Sequence, residues 1–367
     1  MTAAAAAADL MGEEDGYAAA ASPLYQTATF VNLNHADALY DYTRSGNPTR
    51  HLVEQAVAQL EGADRAFAFT SGMAALTAVL RTVSQPGSHV IASADLYGGT
   101  HRLLRHAARH AGLTVDFVDL TQIDAVASAF RPDTTAVFAE SPTNPLMQVV
   151  DLQALADLCR ARNVRLCVDN SLLSPVLMQP HNLGADLVVN SATKFLNGHS
   201  DTMAGFVSAR DPALCERLAF VQNAEGAGLA PFDAWLVQRG LKTLFQRQQL
   251  AQANATVLAR FLRGHPLVEQ VHYLDRADVH HSPQAQTHFN QASGGGAVLS
   301  FLPRGPDATA IARRLLDAVR LFKISVSFGS VHSQLEMPAL HSHASIPEEE
   351  RHLPAALLRV SVGTEDV

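Results

Sequence analysis

The segment that ends in Lys194 carries the side chains of this sequence that are best suited to covalent chemistry. An apolar run, Leu187–Val189, predicts a buried strand, and Ser191, Thr193, Lys194 and Gly198 follow it. The carboxyl edge of a parallel sheet is where such folds bind ligands. A lysine there can form a Schiff base if its surroundings keep the amine partly neutral. A lone lysine is more often a solvated residue at a strand end, so the assignment depends on other residues.

Four further features favour Schiff-base chemistry. Ser71–Met73 follows a predicted strand and opens a helix, so its backbone N–H groups form an anion site. Asp169 ends a buried strand, where its carboxylate could hold the protonated pyridine nitrogen of pyridoxal phosphate. Tyr97, at another strand end, could stack on a ring. Arg359 lies in an otherwise apolar strand with no acid adjacent in sequence, so it is available to a ligand carboxylate.

Lysine is scarce in this chain, and that scarcity narrows the choice. The three lysines are Lys194, Lys242 and Lys323. Lys242 falls within a predicted long helix, and Lys323 begins a predicted strand of the second half. Only Lys194 lies among hydroxyls and a glycine at a predicted sheet edge.

Other cofactors lack their sequence motifs. Gly226-Ala-Gly228 supplies only the first half of GxGxxG, and Gly294–Gly296 precedes a strand rather than following one. No GxxxxGK[ST] occurs. Three cysteines at irregular spacing predict neither disulfides nor zinc, and the histidine pairs lack HExxH, so we expect no metal. These residues are Cys159, Cys167, Cys215, His280, His281, His341 and His343.

Composition and charge limit the partners. The chain has 367 residues, 47% hydrophobic and 17% charged, with a formal net charge of −8. This predicts a globular protein rather than a nucleic-acid or anionic-membrane binder, because those partners require a basic surface. No run approaches about 18 apolar residues, and the start lacks the basic residues of a signal or transit peptide.

Strands and helices alternate from residue 47, which predicts an α/β fold with a mostly parallel sheet covered on both faces. Asn47-Pro48 and Asp151 predict helix starts, and Gly62 predicts a helix end. We predict one long helix from Phe232 to Leu262, with Gly240 as its weak point. Later elements are predicted as strands 294–302, 323–328 and 357–362 and a helix at 308–319. The predicted division is an arm (1–46), a large domain (47–241) and a smaller C-terminal α/β domain (242–367).

With these residues in view, the chain resembles the trans-sulfuration family of pyridoxal-phosphate enzymes over nearly its whole length. This resemblance implies the fold-type I architecture of that family. Three further segments are most similar to the plant-type β-lyases of the family: 222–226, 228–233 and 326–331. The family motifs are Tyr42-Thr-Arg44-Ser-Gly-Asn-Pro-Thr49, Thr70-Ser-Gly-Met-Ala-Ala75, Glu140-Ser-Pro-Thr-Asn-Pro145, Val168-Asp-Asn170, Ser191-Ala-Thr-Lys-Phe195 and Gly198-His-Ser-Asp201.

The resemblance implies a role for each matching residue. Lys194 would hold the cofactor aldehyde, Asp169 its ring nitrogen, and Tyr97 would stack on the ring and exchange protons. Asn144 would lie near the ring hydroxyl. The phosphate would be bound by Gly72, Met73, Ser191 and Thr193.

Substrate and subunit contacts are also implied by the resemblance. Arg359, with Ser327, would hold the substrate α-carboxylate. Tyr42 and Arg44 match residues that reach the phosphate of a neighbouring subunit, so we expect at least a dimer, and a tetramer built as a dimer of dimers.

The implied reaction is β-elimination from an amino-acid thioether, which releases a thiol, pyruvate and ammonia. Val326 stands where γ-synthases and many γ-lyases place Glu, which disfavours a γ-synthase. Methionine γ-lyases resemble the chain at that position, but Gly99 replaces their cysteine. The alternatives are therefore a γ-acting relative or a non-catalytic binding protein. We expect the chloroplast stroma for a plant or algal source and the cytoplasm for a bacterial one.

Overall fold

The computed structural model of the chain describes residues 19–31, 39–341 and 353–366. Of the predicted arm it therefore covers 19–31 and 39–46, and His343 lies outside the described residues. No described helix is long and apolar enough to traverse a bilayer. In the same three ranges, no group of three or more His, Cys, Asp or Glu side chains could hold a metal ion.

The larger sheet has seven strands. They are β1 (Arg65–Phe69), β2 (His89–Ser93), β3 (Thr114–Val118), β4 (Thr134–Glu140), β5 (Arg165–Asp169), β6 (Leu187–Ser191) and β7 (Gly205–Ala209). Their order is β1-β7-β6-β5-β4-β2-β3, and only β7 runs antiparallel to its neighbours. The predicted α/β fold with a mostly parallel sheet is thus confirmed, although β7 was not predicted from the sequence.

Helices cover both faces of this sheet. They are α1 (Pro48–Glu61), α2 (Gly72–Val83), α3 (Gly98–His110), α4 (Ile123–Ala129), α5 (Leu152–Arg160), α6 (Ser174–Leu177), α7 (Pro212–Glu225) and α8 (Pro231–Leu241). Alternate residues of one strand enter different cores: Leu166 and Val168 pack with α1 and α5, whereas Cys167 packs with α2 and α7. Burial on both faces explains why the strands are continuous apolar runs.

The second sheet is smaller and mostly antiparallel. Its strands are β8 (Val268–His272), β9 (Val298–Pro303), β10 (Lys323–Ile324), β11 (Gln334–Glu336) and β12 (Leu358–Ser361), in the order β10-β11-β12-β9-β8. The accompanying helices are α9 (Leu244–Gly264), α10 (Pro283–Gln291) and α11 (Ala308–Ala318). The division of the chain at 46 and 241 stays a prediction.

The predicted caps are confirmed. The Asn47 side chain accepts a hydrogen bond from Thr49 N at 2.9 Å at the start of α1, and Gly62 ends that helix with φ of 65°. Asp151 caps α5 in the same way. These helix termini could be predicted from the sequence because a cap is a local hydrogen bond between residues that are neighbours in sequence.

The prediction of one helix from 232 to 262 was wrong. Helix α8 ends at Leu241 and α9 begins at Leu244. Gly240 packs so closely on the next segment that a Cβ there would lie 2.4 Å from Asn197 O. Its own carbonyl accepts a hydrogen bond from Thr243 N at 3.3 Å. Tertiary packing therefore interrupts a helix that its sequence pattern would continue.

The predicted strand 323–328 was also too long, because only Lys323–Ile324 is extended in the sheet. Ser327 has φ of 89°, a left-handed conformation that a strand does not allow. Its carbonyl accepts a hydrogen bond from Arg359 Nη2. The end of the strand thus coincides with a contact between two predicted site residues.

Candidate active site

Lys194 follows β6 in a short turn, where its backbone N donates to Ser191 O at 3.1 Å. Its Nζ donates to Ser327 Oγ at 2.7 Å and lies 4.6 Å from the centre of the Phe328 ring. Burial, reinforced by the positive charge of Arg359, lowers the lysine pKa to about 8. A lysine with this pKa is partly neutral near pH 7, which is the condition for Schiff-base chemistry.

Asp169 and Glu140 lie side by side at the ends of β5 and β4, where they are paired in register. Asp169 Oδ1 accepts a hydrogen bond from Ser171 N at 2.9 Å. Burial raises the pKa of Asp169, and burial together with the Asp169 charge raises that of Glu140 well above its usual range. Two desolvated carboxyl groups in adjacent strands favour a positively charged neighbour, so the site fits a protonated ring nitrogen.

Glu140 also positions two predicted site residues. Its Oε2 accepts from Tyr97 N at 3.1 Å, and its Oε1 accepts from Asn144 N at 3.0 Å. Its place in a motif was recognised from the sequence, but its positioning role was not. Both of its hydrogen bonds go to backbone atoms that only the fold brings near.

The Ser71–Gly72 turn lies against the end of β6. Ser71 Oγ caps α2 by accepting from Ala74 N at 3.1 Å. A Cβ on Gly72 would lie 2.9 Å from Ser191 Cβ, so the helix N-terminus and the Ser191 side chain are in direct contact. Thr193, one residue before Lys194, accepts from Ala204 N at 3.3 Å. The first N–H groups of α2 and the hydroxyls of Ser191 and Thr193 together fit a phosphate.

The Tyr97 ring forms one wall of this region. It packs over Gly99, where a Cβ would lie 2.3 Å from a ring carbon of Tyr97 and 2.8 Å from Met73 Sδ. The side chain of Tyr97 remains partly exposed at the start of α3. Met73, Gly99 and Tyr97 therefore form one surface beside the Ser71–Gly72 turn, as a ring platform requires.

Arg359 is buried in β12 opposite Glu336 of β11. Nη1 lies 2.8 Å from Glu336 Oε1 and 3.3 Å from Asn144 Oδ1, and Nη2 donates to Ser327 O. Within the described residues, Nε is buried with no hydrogen-bond partner. Glu336 could not be identified from the sequence, because the pairing of β11 with β12 joins residues 23 positions apart and only Arg359 stands out locally. A guanidinium beside Ser327 whose Nε has no hydrogen-bond partner among the described residues fits a substrate carboxylate.

Tyr42 and Arg44 lie apart from this cluster. Arg44 Nη1 donates to Asn223 O at 2.8 Å and to Asn223 Oδ1 at 2.7 Å, and its guanidinium lies 5.4 Å from the Tyr42 ring centre. In the part of the chain that the structure describes, neither side chain is hydrogen-bonded to Lys194, Asp169 or Arg359. The expectation that they serve a neighbouring subunit stays a prediction.

A cleft of about 1040 Å³ opens beside the site. Thr193, a predicted phosphate ligand, and Ser327, a predicted substrate contact, both line it. Its walls are mixed: Asp201, His199 and Lys323 are polar, and Met203 and Val326 are apolar. The volume is sufficient for a small amino-acid ligand together with a bound cofactor.

Comparison with known proteins places this site in context. A family model described as Cys/Met metabolism PLP-dependent enzyme matches residues 4–367. The chain is 46% identical to the chloroplastic cystathionine beta-lyase of Arabidopsis thaliana, over 96% of this chain and 75% of that protein. It is 41% identical to the cystathionine beta-lyase MetC of Bacillus subtilis, over 96% of this chain and 90% of that protein.

Among solved structures, the fold is similar to a cystathionine gamma-lyase from Lactobacillus plantarum complexed with L-serine. The TM-score is 0.94 at 36% identity, over 100% of this chain and 95% of that one. A cystathionine gamma synthase from Xanthomonas oryzae pv. oryzae gives a TM-score of 0.95 at 37% identity, with the same two coverages.

Proposed function

Because this chain belongs to the family of Cys/Met metabolism PLP-dependent enzymes, we propose that it cleaves L-cystathionine by β-elimination to L-homocysteine, pyruvate and ammonia. The chain is a carbon–sulfur lyase whose cofactor is pyridoxal phosphate. The observation that carries the proposal is the contact of Lys194 Nζ with Ser327 Oγ at 2.7 Å, next to buried Arg359. It brings a proton acceptor and a carboxylate-binding site together. Homocysteine is the thiol precursor of methionine, which assigns the reaction to methionine biosynthesis.

The residues present fit the cofactor. When bound, pyridoxal phosphate supplies an aldehyde that joins an amine and a protonated ring that withdraws electrons from the substrate Cα. Lys194 would hold the aldehyde, Asp169 the ring nitrogen, Asn144 the ring hydroxyl, and Tyr97 the ring face. The phosphate would be bound by Gly72, Met73, Ser191 and Thr193.

The chain's own groups account for the proton movements. Arg359 and Ser327 bind the α-carboxylate and so place the substrate Cα beside Lys194. A neutral Lys194 amine accepts the Cα proton, as its lowered pKa allows. Lys194 or Tyr97 then delivers a proton to the departing sulfur as the Cβ–S bond breaks. The thiol leaves as homocysteine, and one molecule of water converts the remaining three-carbon enamine into pyruvate and ammonia.

A second candidate is elimination or replacement at Cγ. It is favoured by the similarity to solved γ-lyase and γ-synthase structures. Against replacement at Cγ, Val326 lines the cleft directly before Ser327 and is 56% exposed. An apolar side chain there removes a candidate anchor for a distal amino group, which disfavours a γ-synthase without excluding γ-elimination. We propose β-elimination first because the two relatives described above, 46% and 41% identical to this chain, are cystathionine beta-lyases.

Product analysis on L-cystathionine tests the choice. We expect equimolar pyruvate and homocysteine from the purified enzyme and neither from a Lys194→Ala variant that still folds. The products 2-oxobutyrate and cysteine would identify a γ-lyase instead. Incubation of an activated homoserine with cysteine, followed by a search for cystathionine, tests for a γ-synthase.

The assembly and location are further parts of the proposal. We propose a homo-oligomer, a dimer at least and a tetramer formed as a dimer of dimers, in which Tyr42 and Arg44 reach the phosphate of a neighbouring subunit. The exposure of both side chains supports this. The proposed compartment is the chloroplast stroma for a plant or algal source and the cytoplasm for a bacterial one.

A further inference from the structure

The break between α8 and α9 brings Arg247 against the turn that carries Lys194. Nη1 of Arg247 donates to Phe195 O at 2.8 Å, and Nη2 donates to Leu196 O at 3.2 Å and to Gly240 O at 2.8 Å. We propose that Arg247 is a positioning residue for Lys194, which fixes the turn 194–198 against the end of α8. The inference rests on the proposed role of Lys194 as the residue that holds the cofactor.

Two glycines allow this close contact. Gly198 has φ of 77°, and a Cβ there would lie 1.9 Å from Arg247 Nη1, so the guanidinium rests directly on the glycine. A Cβ on Gly240 would lie 2.4 Å from Asn197 O. Side chains at either position would separate α8 and Arg247 from the turn. The position of the turn 194–198 therefore depends on the direct contact between the Arg247 guanidinium and the backbone of the turn.

The other side of the same turn contacts the segment that contains Ser327. Val331 N donates to Gly198 O at 3.0 Å. Gly329 approaches Phe195, where a Cβ on the glycine would lie 2.6 Å from Phe195 N. The turn is thus held between Arg247 and residues 327–331. A shift of the turn changes the position of Lys194 Nζ relative to Ser327 Oγ.

The chemistry of this contact requires arginine. Three backbone carbonyls from two segments bond to two nitrogens of one planar group, a spread that the fork of a guanidinium matches and an ammonium, with its three donors on one nitrogen, does not. Gly240 lies at the C-terminal end of α8, where the helix dipole favours a cation. Thr243 Oγ1 accepts from Nε at 3.1 Å and completes the set. Burial lowers the pKa of Arg247 to about 10, which leaves it charged at neutral pH.

Removal of the Arg247 guanidinium should impair the cofactor site more than it impairs substrate binding. For Arg247→Met we expect kcat to fall by about 10- to 100-fold, as misplacement of a reacting group by about 1 Å does. The KM should change by less than about threefold, since the variant leaves Arg359 and Ser327 in place. Cofactor loss on dialysis should accelerate, and the visible absorbance of the bound cofactor should change. Arg247→Lys should show a smaller version of each effect.

Arg260→Met is the matched control. Arg260 lies on the same helix, is exposed, and pairs with Asp275 at 2.9 Å away from the turn. We expect its cofactor absorbance and retention to equal those of the wild type. Methylguanidinium added to Arg247→Ala should restore part of the cofactor retention, and the same addition to the control should have no effect.

The inference is overturned if Arg247→Met binds cofactor with wild-type absorbance and retention while only its melting temperature falls. If Arg247→Met does not fold, the Arg247→Lys variant is used instead. The inference is then overturned if Arg247→Lys has the cofactor absorbance, cofactor retention and kcat of the wild type. Absorbance and retention are measured without substrate. A failure of the wild type to cleave cystathionine would therefore reject the proposed function, whereas this inference is judged on the cofactor measurements.

Discussion

Lys194 and Arg359 both donate hydrogen bonds to Ser327, but the surroundings of the two cations differ. Arg359 has a carboxylate of the protein, Glu336, at 2.8 Å, so its charge is balanced in the buried site. Lys194 donates to the neutral hydroxyl of Ser327, and burial, together with the smaller effect of the Arg359 charge, lowers its pKa against the opposing charges of Glu336 and Asp169. The same serine thus joins a residue that must stay charged to bind a carboxylate and a residue that must lose its proton to react.

This difference predicts how cofactor uptake depends on pH. Only the neutral Lys194 amine attacks an aldehyde, and its pKa is lowered to about 8. The uptake rate of the cofactor-free enzyme should therefore rise about tenfold per pH unit below pH 8 and level off above it. The measurement is the growth of visible absorbance after pyridoxal phosphate is added at pH 6 to 10. A midpoint near 10 would contradict the lowered pKa, and Lys194→Ala should show no such pH-dependent absorbance.

At the scale of elements, β7 and the N-terminus of α2 are in direct contact, and the predicted phosphate site lies at that junction. Gly205 begins β7, where a Cβ would lie 2.3 Å from Ser71 O and 2.7 Å from Gly72 Cα. Both neighbouring atoms belong to the backbone and cannot rotate away. The position of the helix terminus therefore depends on the absence of a side chain in the adjacent strand.

We expect Gly205→Ala to displace the Ser71–Gly72 turn. Overpacking of this kind lowers the free energy of unfolding by about 1–3 kcal/mol, and the displaced turn should bind the cofactor phosphate more weakly. Urea unfolding and equilibrium binding of pyridoxal phosphate measure the two effects. Gly264→Ala is the control, because a Cβ at this end of α9 meets nothing within 4 Å. Equal cofactor affinity in both variants would refute the proposed position of the phosphate site.

Local sequence signals predicted the elements that local interactions determine. The cap at Asn47 and the buried strand at Leu187–Val189 have the predicted positions, since caps and buried apolar runs are visible within a few residues. The end of α8 and the left-handed Ser327 were not predicted. Both depend on partners distant in the chain, the backbone of Asn197 for Gly240 and the guanidinium of Arg359 for Ser327.

At the scale of the whole molecule, the two sheets contribute different halves of the proposed site. The strands and turns of the larger sheet provide the predicted cofactor residues, such as Lys194 and Asp169. The smaller sheet provides Arg359, and the segment after β10 provides Ser327. A substrate attached to the cofactor would therefore bridge the two sheets. Tyr42 and Arg44 are exposed away from this cluster, so the proposed phosphate site would gain its last ligands from a second copy.

Shared sites of this kind predict complementation between two impaired variants. Lys194→Ala removes a group from its own subunit's site, whereas Tyr42→Ala with Arg44→Ala impairs the neighbour's site. In a hybrid dimer both lesions fall in one site and the other site is intact. About half of randomly formed dimers are hybrids, so the mixture should recover about a quarter of wild-type activity. Pyruvate release from co-expressed, differently tagged copies is the measurement. Lys194→Ala paired with Asp169→Ala is the control, since each site then keeps one lesion and should stay inactive. Tagged hybrids that form but recover no activity would place Tyr42 and Arg44 outside the neighbouring site.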